Sequence, residues 1–148
     1  MRKYFGTDGI RRIANTELSP DLVYRVALTR ESDAYLSLEE RVDVSENEQA
    51  QIFVSIHVNS AVSPDPNGIE THYYHDYSKN LAETIHKHMV KEIDSKDRGL
   101  FKSKFYVINH TTVPAVLCEI GFLSNPEERN EIITDSRKQR TAKADMGY

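Results

Sequence analysis

Apolar and polar residues follow one another along this chain in patterns that predict strands and helices by turns. Residues 52–58 form a short β-branched run in which only Ser55 and His57 are polar, which is typical of a strand buried on both faces. Three further runs predict strands at residues 69–74, 105–108 and 115–120. Strands that alternate with helices indicate an α/β domain of three layers, with a largely parallel sheet covered by helices on both faces.

Capping signals mark where the helices begin. Ser37 followed by Glu40 has the capping-box form and predicts a helix from residue 38 to about residue 49. Ser78 precedes a second helix, and Asn125 followed by a proline predicts a third. A last helix is expected after residue 135. Inward positions are expected at Leu38, Val42 and Val44 of the first helix and at Leu81, Ile85, Met89 and Ile93 of the second.

Composition and charge narrow the class of protein. A chain of 148 residues suits one domain, and a net charge of -4 predicts no general attraction to nucleic acid. The apolar runs are far shorter than the roughly 20 residues that span a bilayer, and no apolar segment follows the basic start as it would in a signal peptide. The sequence as encoded therefore predicts a cytoplasmic protein without a membrane span. The single cysteine, Cys118, excludes an internal disulfide.

Two polar residues lie near the ends of predicted buried strands. His57 and Glu119 would meet at one edge of a parallel sheet, where α/β proteins place their ligands. A glutamate within an apolar strand needs a partner, because burying an unpaired carboxylate costs several kcal/mol or protonates it. From the pattern alone, a structural histidine and a structural ion pair remain alternatives to a site.

Several sequence blocks occur in an order that resembles the zinc-dependent N-acetylmuramoyl-L-alanine amidases. They are TRESDAYLSLEERV, SIHVNS, GIETHYY, DRGLFKSKFYVI and PAVLCEIGFLSN. The resemblance covers about residues 28–148. It implies a peptidoglycan hydrolase that cuts the amide bond between N-acetylmuramic acid and L-alanine. The expected partner is the glycopeptide of the cell wall, where members of this family act.

The resemblance also implies roles for two residues. His57 matches a zinc ligand, and Glu119 matches the glutamate that takes a proton from the metal-bound water and passes it to the leaving amine. The family's other ligands, a histidine in a Gly-His-Gly loop and a following glutamate, have no counterpart, and no histidine precedes Thr29. Since a catalytic Zn²⁺ normally has three protein ligands, we expect weak zinc binding and impaired activity. The resemblance implies that residues 28–148 are a partial catalytic domain, truncated on its N-terminal side.

The remaining histidines offer few substitutes for the missing ligands. His72 and His110 are the candidates that could approach His57, and His86 and His88 are expected on the surface of the second helix. Glu70 is expected to be structural.

The first 25 residues resemble the start of bacterial phosphoglucosamine mutase. This resemblance rests on the motif FGTDGIR, and the sequence differs from the family's usual pattern at Arg12. The mutase's phosphoserine and metal loops are absent, so we expect no mutase activity and interpret residues 1–27 as a leader segment of a chimeric chain. Three hypotheses follow: a wall amidase, an inactive relic or wall-binding domain of the same fold, and a phosphosugar-binding fragment. Nothing in the sequence indicates an oligomeric state.

Overall fold

The computed structural model describes residues 4–6, 9–11, 27–29, 32 and 34–145. Most of the predicted leader, residues 1–27, lies outside this part. The strands are β1 (Tyr4–Gly6), β2 (Gly9–Arg11), β3 (Phe53–Asn59), β4 (Ile69–Tyr73), β5 (Asp97–Lys102) and β6 (Ala115–Phe122). The helices are α1 (Leu38–Asn47), α2 (Lys79–Glu92), α3 (Tyr106–His110), α4 (Pro126–Ile132) and α5 (Asp135–Asp145).

One sheet of four strands organises the domain, in the order β3-β6-β4-β5. The β3–β6 and β4–β5 pairs are parallel, and the central β6–β4 pair is antiparallel. Strands β1 and β2 form a separate antiparallel pair. The predicted α/β class is confirmed, and the sheet is mostly parallel because two of its three pairings are parallel.

Apolar side chains alternate along each strand and so build a core on either side of the sheet. The larger core joins one face to α2, α4 and α5; among its members are Ile69, Ile85, Met89, Ile93, Val116, Cys118, Ile132 and Ala144. The smaller core joins the other face to α1 and α3; it contains Val42, Phe53, Val107, Ile108, Ala115 and Leu117. Helices therefore cover both faces, which confirms the three-layer architecture.

The capping signals predicted the helix starts well. Ser37 and Glu40 form both bonds of the capping box, and Asn125 accepts from two backbone N–H groups of α4. Leu38, by contrast, is exposed, so its predicted inward position is wrong. Ser78 precedes α2, but its hydroxyl accepts from the backbone N–H of Ala115 rather than capping the helix.

Two segments differ from the predicted elements. Residues 105–108 were expected as a strand, but residues 106–110 form α3, because a short apolar run fits a buried helix as well as a strand. Strand β5 was not predicted, since its sequence DRGLFK is mostly polar and contains a glycine. Its residues are exposed or half-buried, as expected of a strand paired on one side. None of the described helices is both long and apolar enough to cross a bilayer.

Candidate active site

Three ionisable residues form a row across neighbouring strands of the sheet. Glu119 of β6 lies opposite His57 of β3 on one side and opposite Glu70 of β4 on the other. Partners in register point to the same face, and neighbouring strands are about 4.8 Å apart, so the three side chains share one small region. The prediction that His57 and Glu119 lie close together is met, while their chemical roles remain predictions.

The antiparallel direction of β4 brings Glu70 into this row. His57 and Glu119 lie late in two parallel strands, as the sequence predicts, whereas Glu70 is the second residue of β4. Because β4 runs against β6, its beginning lies beside the end of β6. A prediction based on a wholly parallel sheet would have placed Glu70 at the opposite end of the strands from His57 and Glu119.

Glu119 is the residue of the row that has a buried atom without a hydrogen-bond partner among the described residues. Its residue is half-buried, and within the described part of the chain its buried Oε2 atom has no hydrogen-bond partner. Loss of hydration and the negative charge of Glu70 raise the pKa of Glu119 to about 7. A carboxyl group with this pKa exists in both protonation states near neutral pH, and so it can both accept and donate a proton.

His57 is exposed, and its Nε2 atom lies 3.1 Å from the hydroxyl oxygen of Ser55. Partial loss of hydration, followed by the positive charge of Arg41 on α1, lowers its pKa. The imidazole is therefore neutral near pH 7, the state in which a histidine nitrogen can accept a proton or bind a metal ion.

Glu70 is buried and fully engaged. Its Oε1 accepts from the guanidinium of Arg98 at 2.5 Å, and its Oε2 accepts from His72 at 3.3 Å and from Asn59 at 3.4 Å. These contacts support the structural role expected for Glu70. They also hold a negative charge beside Glu119.

Three of the other histidines already have hydrogen-bond partners. His72 is buried between Glu70 and the hydroxyl of Ser103, while His110 donates to a backbone carbonyl of its own helix, α3. The surface position predicted for His86 is wrong, because its side chain is buried between Thr71 and Asp97. The helical pattern gave no sign of these partners, which belong to two strands distant in sequence.

The described residues do not fit a zinc ion by themselves. No group of three His, Cys, Asp or Glu side chains is arranged there to hold a metal. A catalytic zinc site needs three protein ligands, and both oxygens of Glu70 are already hydrogen-bonded to Arg98, His72 and Asn59. His57 is the one residue of the row whose predicted role is that of a metal ligand.

Comparison with known proteins places this geometry in a family. The profile of the N-acetylmuramoyl-L-alanine amidases matches residues 7–147. The chain is 39% identical over 120 residues to YqiI of Bacillus subtilis, covering 78% of this chain and 58% of that protein. It is 35% identical over 148 residues to the N-acetylmuramoyl-L-alanine amidase LytC of B. subtilis, covering 97% of this chain and 29% of that protein.

A solved structure agrees with these matches. The catalytic domain of CwlV, an N-acetylmuramoyl-L-alanine amidase from Bacillus (Paenibacillus) polymyxa var. colistinus, superposes with a TM-score of 0.82 at 41% identity. The match covers 86% of this chain and 70% of that one. The chain spans 58% of the length of YqiI and 29% of the length of LytC. The profile begins within the predicted leader, whose boundary and mutase resemblance stay predictions. A profile match over residues 7–147, with relatives of 35% identity or more, shows that the chain belongs to the N-acetylmuramoyl-L-alanine amidase family.

Proposed function

We propose that this chain hydrolyses the amide bond between N-acetylmuramic acid and L-alanine in peptidoglycan, with Glu119 as the group that moves the proton. The observation that carries the proposal is the half-buried carboxyl of Glu119, unpartnered at Oε2 within the described residues and with a pKa of about 7. Family membership supplies the bond and the substrate class.

The chemistry that Glu119 would perform is a transfer of one proton. Its carboxylate accepts a proton from the attacking water as the oxygen adds to the amide carbonyl carbon. The same carboxyl then donates that proton to the departing nitrogen as the C–N bond breaks. The sugar keeps a free carboxyl group, and the peptide gains a free α-amino group. A pKa near 7 suits both steps, because neither protonation state is strongly disfavoured.

The surroundings of Glu119 support this role. Glu70, which forms an ion pair with Arg98, lies beside Glu119 and, after the loss of hydration, is the second cause of its raised pKa. His57 flanks the other side with a neutral imidazole. We propose that His57 is the ligand this chain would offer to Zn²⁺, and that the described residues alone hold the ion weakly.

The incomplete ligand set also supports a second candidate function. A domain of this fold that retains no metal would bind wall glycopeptide without cutting it. The observation in its favour is that no three suitable side chains converge among the described residues.

Product analysis distinguishes the two functions. We expect the protein, incubated with purified peptidoglycan and added Zn²⁺, to release peptides that begin with a new N-terminal alanine, detected by mass spectrometry. Glu119→Gln should release none above background. Sedimentation of the protein with peptidoglycan, without any new amino terminus, would favour the binding domain and sink the hydrolase proposal.

A further inference from the structure

The strand that carries Glu119 leaves regular pairing immediately after this residue. Pairing between β6 and β4 ends with Glu119 opposite Glu70. Pairing with β3 shifts register before Phe122, which lies opposite Asn59. The backbone that follows Glu119 therefore lacks part of the ladder that fixes the rest of the strand.

Side chains from α4 and α5 replace the missing ladder. The Oε2 atom of Glu128 accepts from the backbone N–H of Phe122 at 2.7 Å. The guanidinium of Arg137, which is fully buried, donates to the carbonyl of Ile120 at 2.8 Å. Both bonds involve a charged group and are therefore stronger than a bond between neutral groups. They hold the two residues that lie one and three positions after Glu119.

The same Glu128 carboxylate also holds the beginning of β4. Its Oε1 atom accepts from the backbone N–H of Gly68 at 2.9 Å and from the hydroxyl of Ser95 at 2.5 Å. Gly68 stands two residues before Glu70 and has a φ of 112°. A Cβ at Gly68 would lie 2.3 Å from the carbonyl oxygen of Lys96, so only glycine fits this turn.

A second glycine lets the carboxylate reach β6. Gly121 has a φ of 147°, and a Cβ there would lie 3.1 Å from the Oε2 atom of Glu128 and 2.8 Å from Ile132. The side chain of Glu128 is itself buried, at 7% exposure. One buried carboxylate thus spans the ends of two strands, and each of those strands carries one of the two acidic residues of the row.

We propose that Glu128 is a positioning residue for the hydrolysis: it sets the separation between Glu119 and Glu70 by holding Phe122 and Gly68 together. This inference rests on the proposed function. Glu128 lies on the opposite side of β6 from the row and acts only through the backbone. Misplacing a reacting group by about 1 Å can cost about a hundredfold in rate, so a loosened strand end should lower turnover.

The experiment compares kinetics of Glu128→Gln and Glu128→Asp with the unsubstituted protein, on a soluble N-acetylmuramoyl-L-alanyl peptide with added Zn²⁺. Glutamine replaces one acceptor oxygen by a donor, which then faces a backbone N–H that also donates. We expect kcat of Glu128→Gln to fall about 10- to 100-fold with KM changed by less than about twofold. Aspartate keeps the charge but is shorter, so it should give an intermediate kcat. Glu127→Gln, on the exposed side of the same helix turn, is the matched control and should keep kcat.

The readout separates positioning from simple stabilisation, because each variant is assayed well below its own melting temperature. A lower melting temperature with kcat at the level of Glu127→Gln would overturn the proposal and leave Glu128 a structural residue. If Glu128→Gln does not fold, the kcat of Glu128→Asp decides: a value equal to the control overturns the proposal. If the unsubstituted protein does not cleave the peptide, the proposed function fails and this inference falls with it.

Discussion

The buried His86, on the face of the sheet that packs against α2, differs from Glu119, on the opposite face, in whether its buried polar atoms are hydrogen-bonded. On the first face, His86 is hydrogen-bonded at both ring nitrogens, to Thr71 at 2.9 Å and to Asp97 at 2.8 Å. On the second face, the Oε2 atom of Glu119 has no partner within the described residues, although the residue is half-buried. His86 lies on α2, but its partner Thr71 follows Glu70 in β4, and Glu70 lies opposite Glu119.

This difference separates groups that stabilise the domain from groups available for chemistry. A buried group with all its bonds made gains little by accepting another partner and costs much to remove. A buried carboxyl without such bonds costs stability, and it is ready to exchange a proton with a ligand. We therefore expect substitutions of His86 and of Glu119 to have opposite consequences for stability and activity.

The largest effect is expected from Glu119→Gln. Loss of a general acid–base group typically costs 10²- to 10⁴-fold in rate, and glutamine can neither accept nor donate the proton at this point, so kcat should fall by about that factor. Mass spectrometry of the released peptides measures it, with circular dichroism to check the fold. Cleavage by this variant at more than about a tenth of the normal rate would contradict the role of Glu119.

The second effect should appear on the other face. His86→Leu removes both bonds of a buried imidazole and leaves Thr71 without its nitrogen partner, so the free energy of unfolding should fall by about 2–4 kcal/mol. Urea denaturation measures this change, and Lys87→Ala on the exposed side of α2 is the control. The kcat of the folded variant should stay unchanged; a loss of kcat would mean that His86 also affects the site.

A third effect concerns the dependence of stability on pH. The pKa of Glu119 is raised to about 7 in the folded protein, above its ordinary value of 4.5, so the folded state binds this proton more tightly than the unfolded state. Stability is therefore lost as the pH rises between these two values. Glu119→Gln should remove that loss. The free energy of unfolding of the variant, measured relative to that of the unsubstituted protein, should therefore be about 1–3 kcal/mol higher at pH 8 than at pH 4. Melting curves at both pH values test this, and a gain of the same size at both would show that folding does not raise the pKa of Glu119.

The smallest signal should come from bound metal. Because the described residues provide no group of three ligands, we expect well under one zinc per chain after dialysis against metal-free buffer, measured by inductively coupled plasma mass spectrometry. His57→Ala should lower what remains. One zinc per chain that survives dialysis would contradict this expectation.

Local signals in the sequence predicted much of the fold. The capping box at Ser37, the Asn125 cap and the buried strand that holds Glu119 depend on residues close together in the chain, and each appears where the sequence places it. Two segments show neither a clear helical nor a clear strand period: residues 105–108, wrongly predicted as a strand, and β5, which was not predicted. Their conformation depends on packing against segments distant in the chain, so local propensity could not predict it.

The candidate site also has features that the sequence predicts and features that only the tertiary structure shows. The sequence by itself determined that His57 and Glu119 belong to strands, and that a glutamate in an apolar strand needs an explanation. Only the tertiary structure decided that β4 runs antiparallel to β6, which brings Glu70 beside Glu119, and that His86 has buried partners on two strands. The physical reason is that strand direction and register depend on pairing between segments far apart in the chain, while capping and burial periodicity depend on near neighbours.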